Sequence, residues 1–267
     1  MGGAYIIIPV MTVRLSQQYS DLGHCVVTSQ VVPDSILAAA QQGMVELRDG
    51  SFDTGVAPSH HPGFDPTVLC KINDAHLANR ALLALMTLPE LGKLAAEVTG
   101  GRRIQLWASQ LLIKPSQVGA AGNVGWHQDR QYWGAWEEGS ELLTAWVALS
   151  AVDETAGPMR FVRGSHRWGF RGEGDFFGQD LHAQRGEILV PEGQAWEEVN
   201  AVMEPGGLSI HHCLTYHGSS ANTSGAPRLS LAIHMCTENA RPVDDRREGL
   251  TAYLDDNQIC PVIHGSI

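Results

Sequence analysis

The segment GWHQDRQYW, residues 125–133, places an imidazole and a carboxylate two positions apart inside an aromatic frame. In an extended chain residues i and i+2 face the same side, so His127 and Asp129 can aim a nitrogen and an oxygen at one point. A sulfur-free set of two histidines and one carboxylate occupies one face of an octahedron and leaves three positions open, the donor pattern of non-heme iron(II) oxygenases. One histidine is then still missing. The pair alone is weak evidence, because histidine and aspartate also meet in exposed turns.

A later run offers the missing donor. In GLSIHHCLTYH (207–217), strand alternation puts Ser209, His211, Cys213, Thr215 and His217 on one side. His217 stands last, and the turn-rich connector GSSANTSGAP leads from it to another strand-like run, RLSLAIHM (228–235). There Arg228, Ser230, Ala232 and His234 share a mostly polar side against Leu229, Leu231, Ile233 and Met235. A guanidinium near a metal needs an anionic partner, and its planar fork matches a carboxylate bidentately. A dicarboxylic cosubstrate would supply one. His211 and His212 read as core residues or neighbours of the metal, with His212 in reach of a hydrogen bond near it. His166 reads as part of a turn, and His60 and His61 as exposed loop residues.

These side chains need strands to carry them, and the chain changes period along its length. PDSILAAAQQGMVEL (33–47) has an apolar stripe at helical spacing, and NDAHLANRALLALMTLPELGKLAAEVTG (73–100) predicts two helices broken near Pro89 and closed by Gly100 and Gly101. From residue 104 the period falls to two. RIQLWASQLLIKP, LLTAWVALSAV, GEILVP, GGLSIHHCLTYH and RLSLAIHM are strand-like runs separated by turn formers. Helices first and short strands afterwards predict a mainly β protein, a double-stranded β-helix (jelly-roll, cupin-like) core with helices packed on one side. Without internal repeats or linkers, residues 16–267 read as one domain behind an N-terminal extension at 1–15. Its first ten residues read as an appendage or an extra strand, with Met11 as an alternative start.

Bulk properties restrict the partners. Five scattered cysteines without a C-x-x-C pair argue against a disulfide framework or a zinc knuckle and fit a reducing, cytoplasmic setting. Eighteen basic against 29 acidic residues give a net charge of −11 with no basic run, which argues against nucleic acid or an anionic membrane as partner. The apolar opening MGGAYIIIPVM lacks a basic lead and is too short to span a bilayer. A small-molecule substrate is the remaining expectation; the oligomeric state is not legible.

Taken in order, the motifs resemble the phytanoyl-CoA dioxygenase family of iron(II)/2-oxoglutarate oxygenases. The resemblance runs from about residue 20 to 240 and is strongest in WHQD (126–129) and HGSSANTSGAPR (217–228), with AWVALSAVDETAGPMRFVRGSH (145–166) between them. It implies that His127, Asp129 and His217 bind Fe(II) as the catalytic centre. It implies that Arg228 grips the far carboxylate of 2-oxoglutarate, with Ser219 adding a hydrogen bond and Gln110 and Trp146 lining the cosubstrate pocket. By a looser match in LCKIND, Lys71 joins them; taken alone it reads as a solvated lysine at a helix start. Two stretches depart from the family pattern: Ala156-Gly157-Pro158 stands where Asn-Gly-Pro is usual, and Arg163-Gly164-Ser165-His166 where Pro-Gly-Ser-His is usual. Neither touches an expected ligand. The implied chemistry consumes O2 and 2-oxoglutarate, releases succinate and carbon dioxide, and removes hydrogen from a substrate carbon. Hydroxylation is the default outcome, with cyclisation, desaturation or epimerisation open to the same substrate radical. A halogenase needs a small residue in place of the ligand carboxylate, and Asp129 speaks against that.

Two segments are expected to shape the substrate pocket: the loop at 50–66 and WGFRGEGDFFGQDLHAQR (168–185), whose lengths suit lids. Phe176, with Tyr132, Trp133 and Trp136, forms the candidate substrate wall, although aromatic residues on a barrel are more often core. Their character points to an apolar or ring-containing secondary metabolite and to natural-product tailoring. An acyl-CoA or other lipid-like substrate is the alternative, disfavoured by the lack of a basic cluster for a coenzyme's phosphates, and a peptide is a further one. From other classes stand a non-catalytic metal- or ligand-binding barrel and a zinc hydrolase or isomerase on a cupin-like barrel. Arg228 at its spacing argues against the latter.

Overall fold

The computed structural model describes residues 9–266, with side chains from residue 14 onward. The chain opens with α1 (Pro9–Leu22), β1 (His24–Val27) and α2 (Asp34–Arg48), and continues after a long loop with β2 (Cys70–Asn73), α3 (Ala75–Ala78), α4 (Arg80–Met86) and α5 (Pro89–Thr99). Next come β3 (Ile104–Lys114), β4 (Val124–His127), β5 (Leu142–Ala148), β6 (Met159–Val162) and the short helix α6 (Leu181–Glu187). The remainder is β7 (Glu198–Ala201), β8 (Leu208–His212), β9 (His217–Ser219), β10 (Arg228–Thr237) and β11 (Val262–His264). A major antiparallel sheet runs β1-β8-β5-β10-β3-β11, with β2 also paired to β3, and a minor one runs β4-β9-β6-β7.

Alternation along the central strands builds three layers. Leu111 and Ile113 of β3, Leu143 and Val147 of β5, and Leu231 and Ile233 of β10 turn to the helices, joining Met44, Leu82 and Leu94 in one core. Residues of opposite phase on the same strands, Leu112, Trp146 and Ala232, meet Met159 and Phe161 of β6 between the sheets. Each fully buried Leu, Ile or Phe contributes roughly 1.5–3 kcal/mol, so the apolar phase pins the register. A one-residue slip would move every polar residue of the inner face into the helical core.

Several sequence expectations need correction. The stretch 73–100 breaks near Pro89 as expected, and again at Asn79, whose side chain caps α4 by accepting from the amides of Ala81 and Leu82. HCVV and CKIN, inside the helical third, form β1 and β2, so Lys71 stands on a strand and not at a helix start. GEILVP is not a strand: its first residues end α6, and Ile188 is buried with Trp126, Trp168 and Tyr216. The run to His217 is two strands, because β8 ends in the major sheet and β9 begins in the minor one after a turn at 213–216. Helix α1 passes through position 15, the expected end of the extension, while residues 1–8 of that extension lie outside the described residues. All five cysteines are buried free thiols. Among the described residues no helix is long and apolar enough to cross a membrane.

Candidate metal and cosubstrate site

His127 closes β4 and His217 opens β9, and the two are direct cross-strand partners. Asp129 lies just past the strand, at the start of a 3-10 turn over Asp129–Tyr132, and the extended Gln128 between it and His127 (φ −108°, ψ 131°) keeps the two on one side. Its carboxylate thereby meets both rings: Oδ1 is 3.7 Å from His127 Nε2 and 3.6 Å from His217 Nε2. The three donor atoms lie within 4.8 Å of one another, a spacing that one ion with bonds of about 2.1 Å can bridge. Backbone carbonyls select the nitrogen each ring offers. Nδ1–H of His127 donates to Gly125 at 2.8 Å and that of His217 to Thr215 at 2.9 Å, which leaves both Nε2 lone pairs facing Asp129. Burial holds His217 well below the usual imidazole range, so it is neutral and able to ligate. Burial alone would raise the pKa of Asp129, but the imidazoles gathered around it, with His211 donating a hydrogen bond, hold it well below the usual carboxylate range.

From these ligands an inner chamber opens between the sheets, lined by Gln110, Trp146, His211, Ser219 and Arg228. Arg228 is 2 % exposed. Its guanidinium lies 5.0 Å from the Trp146 ring centroid and donates to the Gly157 carbonyl, while its Nε has no partner. Among the described residues no carboxylate pairs with it, and burial pushes its pKa down to about 9. Lys114, the cross-strand neighbour of Arg228, is also fully buried and donates to the carbonyls of Gly122 and, at 2.7 Å, Ser220. It thereby ties down the segment that carries Ser219. Nothing in QLLIKP signals this lysine, since its role depends on which carbonyls the fold brings to it. The buried guanidinium of Arg228, without a counter-charge, fits one end of a dicarboxylate, and the N/O donor set fits iron.

On the other side of the ligands lies an outer chamber of about 220 Å³. Gln110, His127, Asp129, Phe176 and His234 line both chambers, so the metal position is their junction. Tyr132, Trp133 and Phe176 face the outer chamber, joined by Trp107 and Phe177. Trp136 does not: it is buried against Trp107 and Leu142 and borders a separate cleft. Lys71 lines the outer chamber and not the inner one, with its ammonium 4.3 Å from the Phe176 ring centroid. From the loop at 50–66, Ser59 reaches the chamber wall, while His61 is tied to the Leu47 carbonyl at 2.8 Å.

Against this geometry, the family model of phytanoyl-CoA dioxygenase (PhyH) matches residues 19–230. The chain belongs to that family. Ectoine dioxygenase of Halomonas elongata is 32 % identical over 168 residues, 57 % of this chain and 48 % of that protein. The enzyme of the same name from Bordetella bronchiseptica is 29 % identical over 173 residues, 58 % and 53 % of the two chains. The matched region thus spans about half the length of these relatives. Among solved structures, the epimerase SnoN in complex with Fe3+, α-ketoglutarate and nogalamycin RO superposes with a TM-score of 0.69 at 23 % identity, covering 93 % of this chain and 91 % of that one. The non-heme monooxygenase ThoJ gives 0.69 at 21 %, covering 95 % and 84 %. At such identities the likeness is one of fold.

Two further features of this phytanoyl-CoA dioxygenase family protein bear on the site. The segment expected as a lid is docked on the metal-bearing strand: Gly125 N–H donates to Phe176 O at 3.0 Å, Trp126 N–H to Gln184 Oε1 at 2.8 Å, and Phe176 N–H to Tyr132 Oη at 2.7 Å. Only glycine allows this approach. A Cβ on Gly125 would strike the Asp175 carbonyl, and one on Gly174, which has φ +89°, would strike that of Trp126. Phe176 is thereby set with its ring centroid 5.1 Å from that of His127. Of the adjacent histidines it is His211, not His212, that reaches the metal centre, with Nε2 3.2 Å from Asp129 Oδ2. His212 packs instead near His166, itself in a 3-10 turn as expected, at 5.9 Å between ring centroids.

Proposed function

We propose that this protein is an iron(II)/2-oxoglutarate-dependent oxygenase of a small, ring-containing molecule, with natural-product tailoring as its setting. The observation that carries the reading is the two-chamber plan, in which His127 and Asp129 border a chamber ending in an unpaired buried arginine on one side and a chamber walled by aromatic rings on the other. His127, Asp129 and His217 would hold the iron, and Arg228 with Ser219 the far carboxylate of 2-oxoglutarate, against walls formed by Gln110 and Trp146. Bound iron, with 2-oxoglutarate and O2, supplies the oxidising power that removes hydrogen from a substrate carbon. The chain itself binds and orients: Tyr132, Trp133 and Phe176 hold a ring face, and the docked segment carrying Phe176 keeps water from the junction. Which carbon reacts, and whether hydroxylation, cyclisation, desaturation or epimerisation follows, is a matter of how the ring sits in the outer chamber.

Lys71 is the single lysine or arginine among the residues lining the outer chamber. One cation suits a small substrate with one anionic group and not the several phosphates of a coenzyme A thioester. In this reading the two sheets form a double-stranded β-helix, residues 16–267 act as one cytoplasmic domain, and SnoN of nogalamycin biosynthesis is a guide to substrate class. The test is spectroscopic. Anaerobic addition of Fe(II) and 2-oxoglutarate should give a weak visible charge-transfer band, and admission of O2 should release succinate. Asp129→Ala should abolish both, and a wild-type protein that gave no band would overturn the proposal.

A further inference from the structure

Asp129 has two carboxylate oxygens, and one of them faces the metal position. Oδ1 is the oxygen near the Nε2 atoms of His127 and His217, whereas Oδ2 accepts from the Thr144 hydroxyl at 2.7 Å and from Nε2 of His211 at 3.2 Å. Both donors are 1 % exposed, so water does not compete for their hydrogens. They come from one row of the major sheet, in which His211 of β8 pairs with Thr144 of β5, and Thr144 with His234 of β10.

Counting hydrogens settles each role. An ionised carboxylate only accepts, so Thr144 gives it the single hydroxyl hydrogen, and His211 carries its own hydrogen on Nε2. Thr144 Oγ1 is then left to accept from Nδ1–H of His234, 2.9 Å away. The directions form one consistent chain from His234 through Thr144 to Asp129, met from the other side by His211. His234 also lines both chambers, so the chain ends where cosubstrate and substrate meet.

We propose that Thr144 and His211, with His234 orienting Thr144, are positioning residues that keep Asp129 a one-oxygen ligand. The inference rests on the oxygenase reading above. Three protein ligands leave three positions on an octahedral ion, two for a chelating cosubstrate and one for dioxygen. A carboxylate free to turn can coordinate through both oxygens and close one of them. Two donors on Oδ2 oppose that turn, and charge-assisted hydrogen bonds to a carboxylate are the strong ones.

Thr144→Val keeps the shape of the side chain and removes the donor, and Thr144→Ser restores it. Under anaerobic conditions, Co(II) titration should show Thr144→Val binding about 10- to 100-fold more weakly than wild type, the usual cost of losing an outer partner of a metal ligand. Its Fe(II)/2-oxoglutarate band should shift or fade, while Thr144→Ser should stay within about threefold of wild type and keep the band. A merely structural threonine would lower the thermal midpoint of the metal-free protein and leave affinity and band unchanged, and that outcome overturns the proposal. A measurement on the wild type covers the case in which Thr144→Val does not fold: 15N spectra of the Zn(II) form should show His211 protonated at Nε2 and His234 at Nδ1. The opposite tautomer at either overturns the clamp. Wild-type protein that bound neither Co(II) nor Fe(II) with 2-oxoglutarate would instead remove the oxygenase reading on which it rests.

Discussion

Arg228 is a charge buried without its counter-charge, and that has a thermodynamic sign. Taking a guanidinium out of water costs several kcal/mol when nothing opposite repays it, and replacing such a group by an apolar one of similar volume is often stabilising by about 1–4 kcal/mol. Arg228→Met should therefore raise the unfolding midpoint of the ligand-free protein, by about 2–4 °C for each kcal/mol relieved in a domain of this size. In wild type, 2-oxoglutarate with Zn(II) should raise the midpoint further, whereas the variant should show no gain from the cosubstrate. Differential scanning fluorimetry of the two proteins decides it, and a destabilised variant that still responds to 2-oxoglutarate would contradict the role. Arg228, His127, Asp129 and His217 were singled out in the sequence by the family resemblance that WHQD and HGSSANTSGAPR carry, since a His-x-Asp pair alone is weak evidence. Thr144 and Lys114 were not, and His211 was read only together with His212, as core or as a neighbour of the metal. A threonine or lysine in a strand is ordinary, and these acquire meaning only from cross-strand register, which is a property of pairing between distant segments.

At the scale of elements, the segment 168–185 behaves as a wall and not as a loose flap. Its glycines let it lie directly on β4, and α6 pins its end through Gln184, which also donates to the Asp175 carbonyl at 2.9 Å. Gly125→Ala forces a methyl group into that contact, an overpacking that costs about 1–3 kcal/mol. Since each 1.4 kcal/mol is tenfold in an equilibrium, the open population of residues 173–178 should rise by roughly 5- to 150-fold. Hydrogen exchange of the Phe176 and Phe177 amides would report it, and unchanged protection there would show that the docking is not what holds the wall. The sequence marked this segment as important for its glycines and phenylalanines but left it unstructured, because its order comes from backbone contacts with β4. The strand expected at GEILVP failed for a related reason. Short apolar runs are ambiguous between strand and buried helix end, and Ile188 satisfies its side chain in a cluster of aromatic rings without any ladder.

A mainly β protein with helices on one side was readable from the change of period, and within β10 Leu229, Leu231, Ile233 and Met235 turn to the helices while Arg228, Ala232 and His234 of opposite phase line the inner chamber. What period does not carry is which polar residues end up sealed inside, and this governs how the whole molecule responds to acid. Burial pushes His24, His212 and His234 down to about 4 from an ordinary value of 6.5, and each is therefore neutral in the folded protein. Between these two pH values the unfolded chain binds more protons than the folded one. Stability is thus fully present above pH 6.5, falls as pH drops through the window, and levels below about pH 4. One pKa unit is worth about 1.4 kcal/mol, so each histidine withdraws roughly 3 kcal/mol, and three together rival the 5–15 kcal/mol that holds a typical domain. The metal-free protein should accordingly unfold before pH 4, with a urea midpoint that declines steadily below pH 6.5. His212→Asn isolates one share: its carbonyl can still accept from the Leu214 amide, as Nδ1 of His212 does at 3.1 Å, but it does not titrate. That variant should lose less stability between pH 7 and pH 5 than wild type, and equal losses in the two proteins would show that the acid response originates elsewhere.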